Sequence, residues 1–174
     1  FTDEANIHYK DNLPAAHSQV TDSYGQGCDQ TGGNFINNCG YDAAGQILQH
    51  IYGTLNPRNT GTLSGVVHEI DQDEFYSGDT WNIGMSHYGY AYVPASCSTQ
   101  QSCRMHIAFH GCKQYATKIG GDYYTYAGYN EWADTNNLII LYPQTVATTL
   151  TPLNPNGCWD WWGYNDGNYA KKSG

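Results

Sequence analysis

Six cysteines constrain the fold of this chain more than any other feature of its sequence. Their number is even, and their spacing fits neither a Cys-x-x-Cys redox motif nor a zinc ribbon. They lie among Gly, Ser, Thr and Asn, which favours disulfides over the alternative of six free thiols in a cytosolic core. We therefore expect a secreted, extracellular protein whose cysteines form three bridges.

The sequence alone permits fifteen pairings of the six cysteines. Two pairs, however, flank short polar loops that close at little entropic cost, and they leave the last two cysteines for each other. The predicted bridges are Cys28–Cys39, Cys97–Cys103 and Cys112–Cys158.

Charge and hydropathy exclude several classes of function. Seven Lys and Arg residues stand against sixteen Asp and Glu residues, giving a net charge of -9. No basic stripe is present, so nucleic acid is not an expected partner. No run of eighteen apolar residues occurs either, so a membrane is not expected as a partner. A length of 174 residues suits one domain or a large piece of one.

Hydrophobic periodicity predicts several elements in the first half of the chain. Residues 1–38 are polar and rich in Gly, which predicts loops with at most one short strand. Apolar residues then recur at helical spacing over residues 42–52, and Gly53 follows as a stop. Residues 62–71 and 88–93 are predicted strands.

The second half of the chain predicts a strand, a helix and a strand in succession. Alternating residues from Arg104 predict a strand that ends at the tripeptide 110–112. Residues 123–135 predict a helix broken at Gly128, and residues 138–142 form a continuous apolar run. This βαβ pattern predicts an α/β fold with a mostly parallel sheet, and functional residues at the carboxyl ends of its strands.

The tripeptide His110-Gly111-Cys112 has the composition of an oxyanion site. Its glycine lets the backbone turn closely, and the following amide can donate to a developing negative oxygen. The alternative is an ordinary turn whose cysteine only anchors a disulfide.

Residues 157–164 contain three tryptophans and a tyrosine between glycines. Flat apolar side chains beside a cleft can hold an uncharged ester or a sugar. The alternative is that these aromatic side chains only fill the core.

Three blocks of the sequence resemble consecutive blocks of the extracellular polyhydroxybutyrate depolymerases, and a fourth extends the resemblance over nearly the whole chain. The blocks are CRMHIAFHGC at 103–112, AGYNEWADTNNLIILYPQ at 127–144, NPNGCWDWWGY at 154–164, and NNCGYDAAGQILQHIYGTLNPRN at 37–59. The chain is most similar to the circularly permuted type, in which the oxyanion segment follows the catalytic His. The resemblance implies that residues 1–174 form the carboxyl-terminal part of one α/β-hydrolase-like domain.

The resemblance also implies roles for individual residues. The family's catalytic His precedes a Pro-Thr-Asp sequence, and AAHSQVTD at 15–22 resembles this block with Val20 in place of Pro. His17 is thereby implied as the general base and the Cys112 amide as an oxyanion donor. The residues expected to bind substrate are His110, Trp161 and Trp162. No metal or organic cofactor is implied.

The family's Gly-x-Ser-x-Gly nucleophile box is not found in this chain. Only sixteen residues precede His17, and the nearest string, GMSHYG at 84–89, has the wrong spacing. Ser86 and His87 are interpreted as surface or strand-entry residues. We expect the Ser and the triad Asp in a missing amino-terminal segment or a second chain, and we expect this chain alone to be inactive.

The sequence therefore favours a secreted serine esterase that hydrolyses poly(3-hydroxybutyrate), with the hydrophobic polyester and its oligomers as partners. The rival hypothesis is a non-catalytic structural or polymer-adsorbing protein built on the same fold.

Overall fold

A computed structural model describes residues 3–98 and 102–171 of the chain. It contains a four-stranded sheet, a smaller three-stranded sheet and four short α-helices. The strands are β1 (Gln19–Thr21), β2 (Gln26–Gly27), β3 (Ile36–Asn38), β4 (Val66–Asp71), β5 (Tyr88–Val93), β6 (Arg104–Ile107) and β7 (Leu138–Tyr142). The helices are α1 (Ala43–Tyr52), α2 (Ala116–Ile119), α3 (Asp122–Tyr126) and α4 (Asn130–Asn136).

The main sheet has the strand order β4-β5-β7-β6 and mixed strand directions. β6 and β7 are parallel, whereas β4 pairs with β5 and β5 pairs with β7 in antiparallel fashion. The α/β class holds, but the expectation of a mostly parallel sheet is wrong for this sheet. The βαβ pattern identified the parallel pair alone, because it carries no information about how β4 and β5 join it.

The predicted strand-helix-strand unit is present. Arg104 lies opposite Leu138 in the β6–β7 ladder, which places the chain that leaves β6 at the carboxyl edge of both strands. The helical segment between them is divided into α3 and α4, and Gly128 between the two has a φ of 91°. This left-handed conformation is open to glycine at little cost, which explains why the helix breaks there.

The first 38 residues contain more structure than their sequence predicts. β1 and β2 both pair in parallel with β3, forming a small sheet where at most one short strand was expected. Strands of two or three residues are too short to show an alternating pattern, so periodicity cannot detect them. β1 begins two residues after His17 and therefore fixes the position of that segment.

The helix predicted over residues 42–52 is confirmed as α1. The Asp42 carboxylate accepts a hydrogen bond from the Gly45 amide at 2.8 Å and caps the amino terminus. Gly53, with a φ of 80°, ends the helix by donating to the Gln49 carbonyl. Leu48 is fully buried, so α1 contributes its apolar face to the core.

The core lies between the main sheet and the helices. α4 packs on β7 and β5, and α3 packs on β5. Within the apolar run of β7, Leu138, Ile140 and Tyr142 are all buried. Among the described residues, no helix is both long and apolar enough to reach across a lipid bilayer.

All three predicted disulfides are confirmed. The pairs are Cys28–Cys39, Cys97–Cys103 and Cys112–Cys158. The first two close short loops, whereas the third joins residues 46 apart and links the end of the β6 turn to the tryptophan-rich segment.

Candidate active site

His17 occupies an exposed position just before β1. The backbone on its amino side is fixed by a hydrogen bond from the Ala16 amide to the Cys28 carbonyl, 2.8 Å long. On its carboxyl side, the Gln19 amide donates to the Phe35 carbonyl, also at 2.8 Å. Backbone hydrogen bonds on both sides thus fix the position of His17, and the residue itself is exposed to solvent.

The turn that follows β6 is held by two aromatic donors. The Tyr123 hydroxyl donates to the Phe109 carbonyl at 2.8 Å. The Trp159 indole N–H donates to the His110 carbonyl, also at 2.8 Å. Two consecutive carbonyls are therefore satisfied by side chains from different parts of the fold, which leaves this turn little freedom to move.

Gln114 connects this turn to the segment that carries His17. Its side-chain oxygen accepts from the Gly111 amide at 2.8 Å. Its side-chain nitrogen donates to the Asn34 carbonyl at 3.2 Å and to the Phe35 carbonyl at 2.9 Å, the latter also bonded to Gln19. Sequence reasoning did not single out Gln114, because a glutamine three residues beyond a glycine carries no recognisable signal.

The Cys112 amide differs from its neighbours in being free. Among the described residues it makes no hydrogen bond, whereas the next amide, that of Lys113, donates to the Asn156 carbonyl at 2.8 Å. Lys113 has a φ of 64°, an uncommon conformation for a residue other than glycine. The Cys112–Cys158 disulfide restrains the same point of the chain. This arrangement presents one unsatisfied donor from a rigid turn, as oxyanion stabilisation requires.

His17 and Cys112 line the same cavity. Its volume is about 230 Å³. The other lining residues are Ser18, Gln19, Phe35, Phe109, Gly111, Gln114 and Tyr123. Three of them are aromatic, so the cavity combines a proton acceptor and a hydrogen-bond donor with apolar walls.

His110 does not reach the surface of this cavity. Its side chain is only 2% exposed. One ring nitrogen, Nε2, accepts from the Thr145 amide at 3.2 Å, and the other, Nδ1, lies 2.7 Å from the Gly111 carbonyl. Burial lowers the pKa of His110 to about 4, against a smaller opposing effect of the Gly111 bond. This geometry does not favour direct contact with a substrate, because both ring nitrogens are already engaged.

The tryptophan-rich segment divides into an inner and an outer part. Trp159 packs edge-to-face on Phe109, with ring centroids 4.8 Å apart. Trp161 and Trp162 lie outside and are 69% and 38% exposed. Neither is among the residues that line the cavity, so the expected contact of Trp161 and Trp162 with substrate stays a prediction. The Asp160 carboxylate anchors the segment by accepting from three later backbone amides.

Ser86 and His87 do not form a second catalytic pair in the described structure. The Ser86 hydroxyl accepts from the Tyr88 amide at 3.4 Å, and no hydrogen bond joins it to His87. His87 Nδ1 instead lies 2.8 Å from Asp73. Asp73, Asp79 and His87 could together offer ligands to a metal, with their ligand atoms within 4.8 Å of one another. None of the three lines the cavity that contains His17.

Comparison with known proteins gives close relatives over the length of the chain. It is 47% identical over 177 residues to a poly(3-hydroxybutyrate) depolymerase from Delftia acidovorans, and the match covers all of this chain. It is 44% identical over 180 residues to a polyhydroxybutyrate depolymerase from Talaromyces funiculosus, and that match covers 97% of this chain. The chain is a homologue of the polyhydroxybutyrate depolymerases. No family model matches it.

Solved structures of these depolymerases share the fold. A depolymerase crystal structure from Penicillium funiculosum superposes with a TM-score of 0.86 at 43% identity, covering 95% of this chain. A second structure, of a PHB depolymerase complexed with an R3HB trimer, gives a TM-score of 0.83 at 43% identity over 91% of this chain. The chain spans 34% and 52% of the two sequence relatives and 54% and 52% of the two solved chains. The resemblance to the depolymerases is confirmed, whereas the circular permutation stays a prediction.

Proposed function

We propose that this chain supplies the general base and one oxyanion donor of a secreted serine esterase that hydrolyses poly(3-hydroxybutyrate). The observation that carries the proposal is the pairing, in one cavity, of the exposed His17 imidazole with the unbonded Cys112 amide. The homologous depolymerases support the substrate class, and one of them has been solved with an R3HB trimer. Three disulfides support an extracellular location.

In the proposed reaction the nucleophilic Ser and the triad Asp come from residues outside this chain. His17 removes the proton from the Ser hydroxyl as its oxygen attacks the ester carbonyl. The Cys112 N–H donates to the carbonyl oxygen, which becomes negative in the tetrahedral intermediate. His17 then returns the proton to the departing alkoxide. A water molecule, deprotonated by the same His, attacks the acyl carbonyl; the Ser oxygen leaves and takes that proton back from His17 as the hydroxybutyrate acid is released.

For the substrate, we propose that Trp161 and Trp162 contact the polyester outside the cavity. Their rings lie 5.1 Å apart and are exposed, and Tyr164 lies 5.0 Å from Trp162. Such a row of aromatic rings provides apolar surface for an uncharged polymer without needing a deep pocket. In this proposal the two tryptophans adsorb the protein to the polymer, and the cavity binds the ester group that is cleaved.

The proposal is tested by activity-based labelling of the purified chain, with and without the upstream segment. A fluorophosphonate probe and a short-chain nitrophenyl ester report the nucleophile and turnover. We expect labelling and turnover only when the upstream segment is present, with both lost in His17→Ala. Labelling of a serine within residues 1–174, or turnover by the chain alone that Ser86→Ala abolishes, would contradict the proposal.

The same samples distinguish the rival, non-catalytic function. A protein that only adsorbs to the polyester would bind films of poly(3-hydroxybutyrate) but show no labelling and no turnover, even with the upstream segment. That result would overturn the esterase proposal and leave the exposed tryptophans as the functional surface.

A further inference from the structure

We propose that His110 is a positioning residue that aims and polarises the Cys112 amide, and that it does not bind the substrate. This inference rests on the proposed function, because it concerns the oxyanion donor of that reaction. It assigns a specific task to a buried imidazole that the reaction itself does not use.

The geometry of one peptide group determines where the Cys112 amide points. The Gly111 carbonyl and the Cys112 N–H belong to the same planar peptide unit, in which C=O and N–H point in opposite directions. His110 Nδ1 lies 2.7 Å from that carbonyl, which also accepts a longer hydrogen bond, 3.1 Å, from the Gln114 backbone amide. Holding the carbonyl toward the protein interior therefore directs the Cys112 N–H to the opposite side. Cys112 lines the cavity, and its amide makes no hydrogen bond within the described residues, so it can donate to a ligand there.

The hydrogen bonds of the His110 ring determine which of its nitrogens carries the proton. The Thr145 amide can only donate, so His110 Nε2 must accept its hydrogen bond at 3.2 Å. The single proton of the neutral ring then resides on Nδ1 and is donated to the Gly111 carbonyl. Thr145 is itself fixed, since its hydroxyl donates to the Gly157 carbonyl at 2.6 Å. The hydrogen-bond pattern thus selects one tautomer.

The His110 ring is held rigidly by its neighbours. Three aromatic side chains surround the imidazole, with ring centroids 5.2 Å away for Trp159, 6.2 Å for Tyr123 and 6.5 Å for Tyr115. The ring therefore has little room to rotate. A donor held on the Gly111 carbonyl also polarises the peptide and strengthens its N–H as a donor, because hydrogen bonds in series reinforce one another.

Two isosteric variants separate the two ring nitrogens. In His110→Asn the side-chain amide nitrogen can occupy the place of Nδ1 and keep the bond to the Gly111 carbonyl. In His110→Gln the longer side chain reaches the place of Nε2 and loses that bond. In the full-length protein that includes the nucleophile segment, we expect His110→Asn to keep kcat close to the parent value. We expect His110→Gln to lower kcat by about a hundredfold with little change in KM, as when an oxyanion donor is lost.

A His17→Ala variant in the same protein keeps the two proposals distinguishable. If His17→Ala retains parental activity, the proposed function fails whatever the His110 variants do. If His17→Ala is inactive but His110→Gln keeps parental kcat, the positioning role is refuted and the esterase stands. An equal loss of kcat in the Asn and Gln variants also refutes it, because a merely structural role would not be rescued by the donor at Nδ1.

A measurement on the chain itself needs no activity and covers the case in which a variant does not fold. Nitrogen-15 NMR of labelled histidines distinguishes a ring protonated at Nδ1 from one protonated at Nε2. We expect His110 to be neutral and protonated at Nδ1 at pH 7. A signal from a ring protonated at Nε2 would mean that His110 donates nothing to the Gly111 carbonyl, and it would overturn the inference.

Discussion

Removing the Cys112–Cys158 disulfide should destabilise the chain more than removing the Cys97–Cys103 disulfide. The first bridge closes a loop of 46 residues, for which chain entropy predicts a loss of roughly 4 kcal/mol in the free energy of unfolding. The second closes a loop of 6 residues, for which the same relation gives roughly 2 kcal/mol. Both cysteines of each pair are replaced by alanine, so that no free thiol remains.

Thermal unfolding followed by circular dichroism measures the difference. For a chain of this size each kcal/mol lowers Tm by about 2–4 °C, so the two variants should lose roughly 8–16 °C and 4–8 °C. Alanine at position 112 keeps the backbone amide, so any loss of activity in the full-length protein reports loosening of the turn. Equal losses in Tm, or a larger loss for Cys97/Cys103, would refute the loop-closure reasoning.

Three further substitutions test separate parts of the structure. In Gly111→Ala the new Cβ would lie 2.8 Å from the Gln114 side-chain oxygen, and Gln114 cannot move away without losing its hydrogen bonds to Gly111, Asn34 and Phe35. We expect the free energy of unfolding, measured in urea, to fall by about 1–3 kcal/mol. Burial alone would raise the pKa of Asp134, but hydrogen bonds donated by Ser64, Tyr92 and Asn59 outweigh this effect and lower the pKa to about 2. Asp134→Asn should therefore cost stability at pH 7, and the variant and parent curves should converge as pH falls from about 4 toward 2. Replacing Trp161 and Trp162 by alanine should weaken binding to polyester films, measured by depletion from solution, but leave turnover of a soluble ester unchanged.

The elements that could be predicted from the sequence are those with local signals. α1 has a capping aspartate, apolar residues at helical spacing and a terminal glycine, all within eleven residues of Asp42. The break at Gly128 follows from the conformational freedom of glycine. Two of the disulfides followed from short loops, because local closure has the lowest entropic cost, and the third followed from the two cysteines that remained. Such signals depend on neighbours in the chain and need no knowledge of the rest of the fold.

The features that sequence reasoning missed depend on contacts between distant residues. The place of His110 is set by Thr145 and Trp159, which lie 35 and 49 residues further along the chain. The bridge made by Gln114 is fixed by carbonyls 79 and 80 residues away. Likewise, the antiparallel partners of β5 are determined by the assembly of the whole sheet. A residue's type and spacing do not reveal which way its side chain turns.

The central claim, that His17 and the Cys112 amide serve one reaction centre, is tested most directly by a structure of the full-length protein with a phosphonate bound to its nucleophile. The predicted result is a serine adduct from outside residues 1–174. Its phosphonyl oxygen would lie about 3 Å from the Cys112 nitrogen, and His17 would lie beside the serine oxygen. A phosphonyl oxygen that turns away from Cys112, or an adduct on Ser86, would contradict the account.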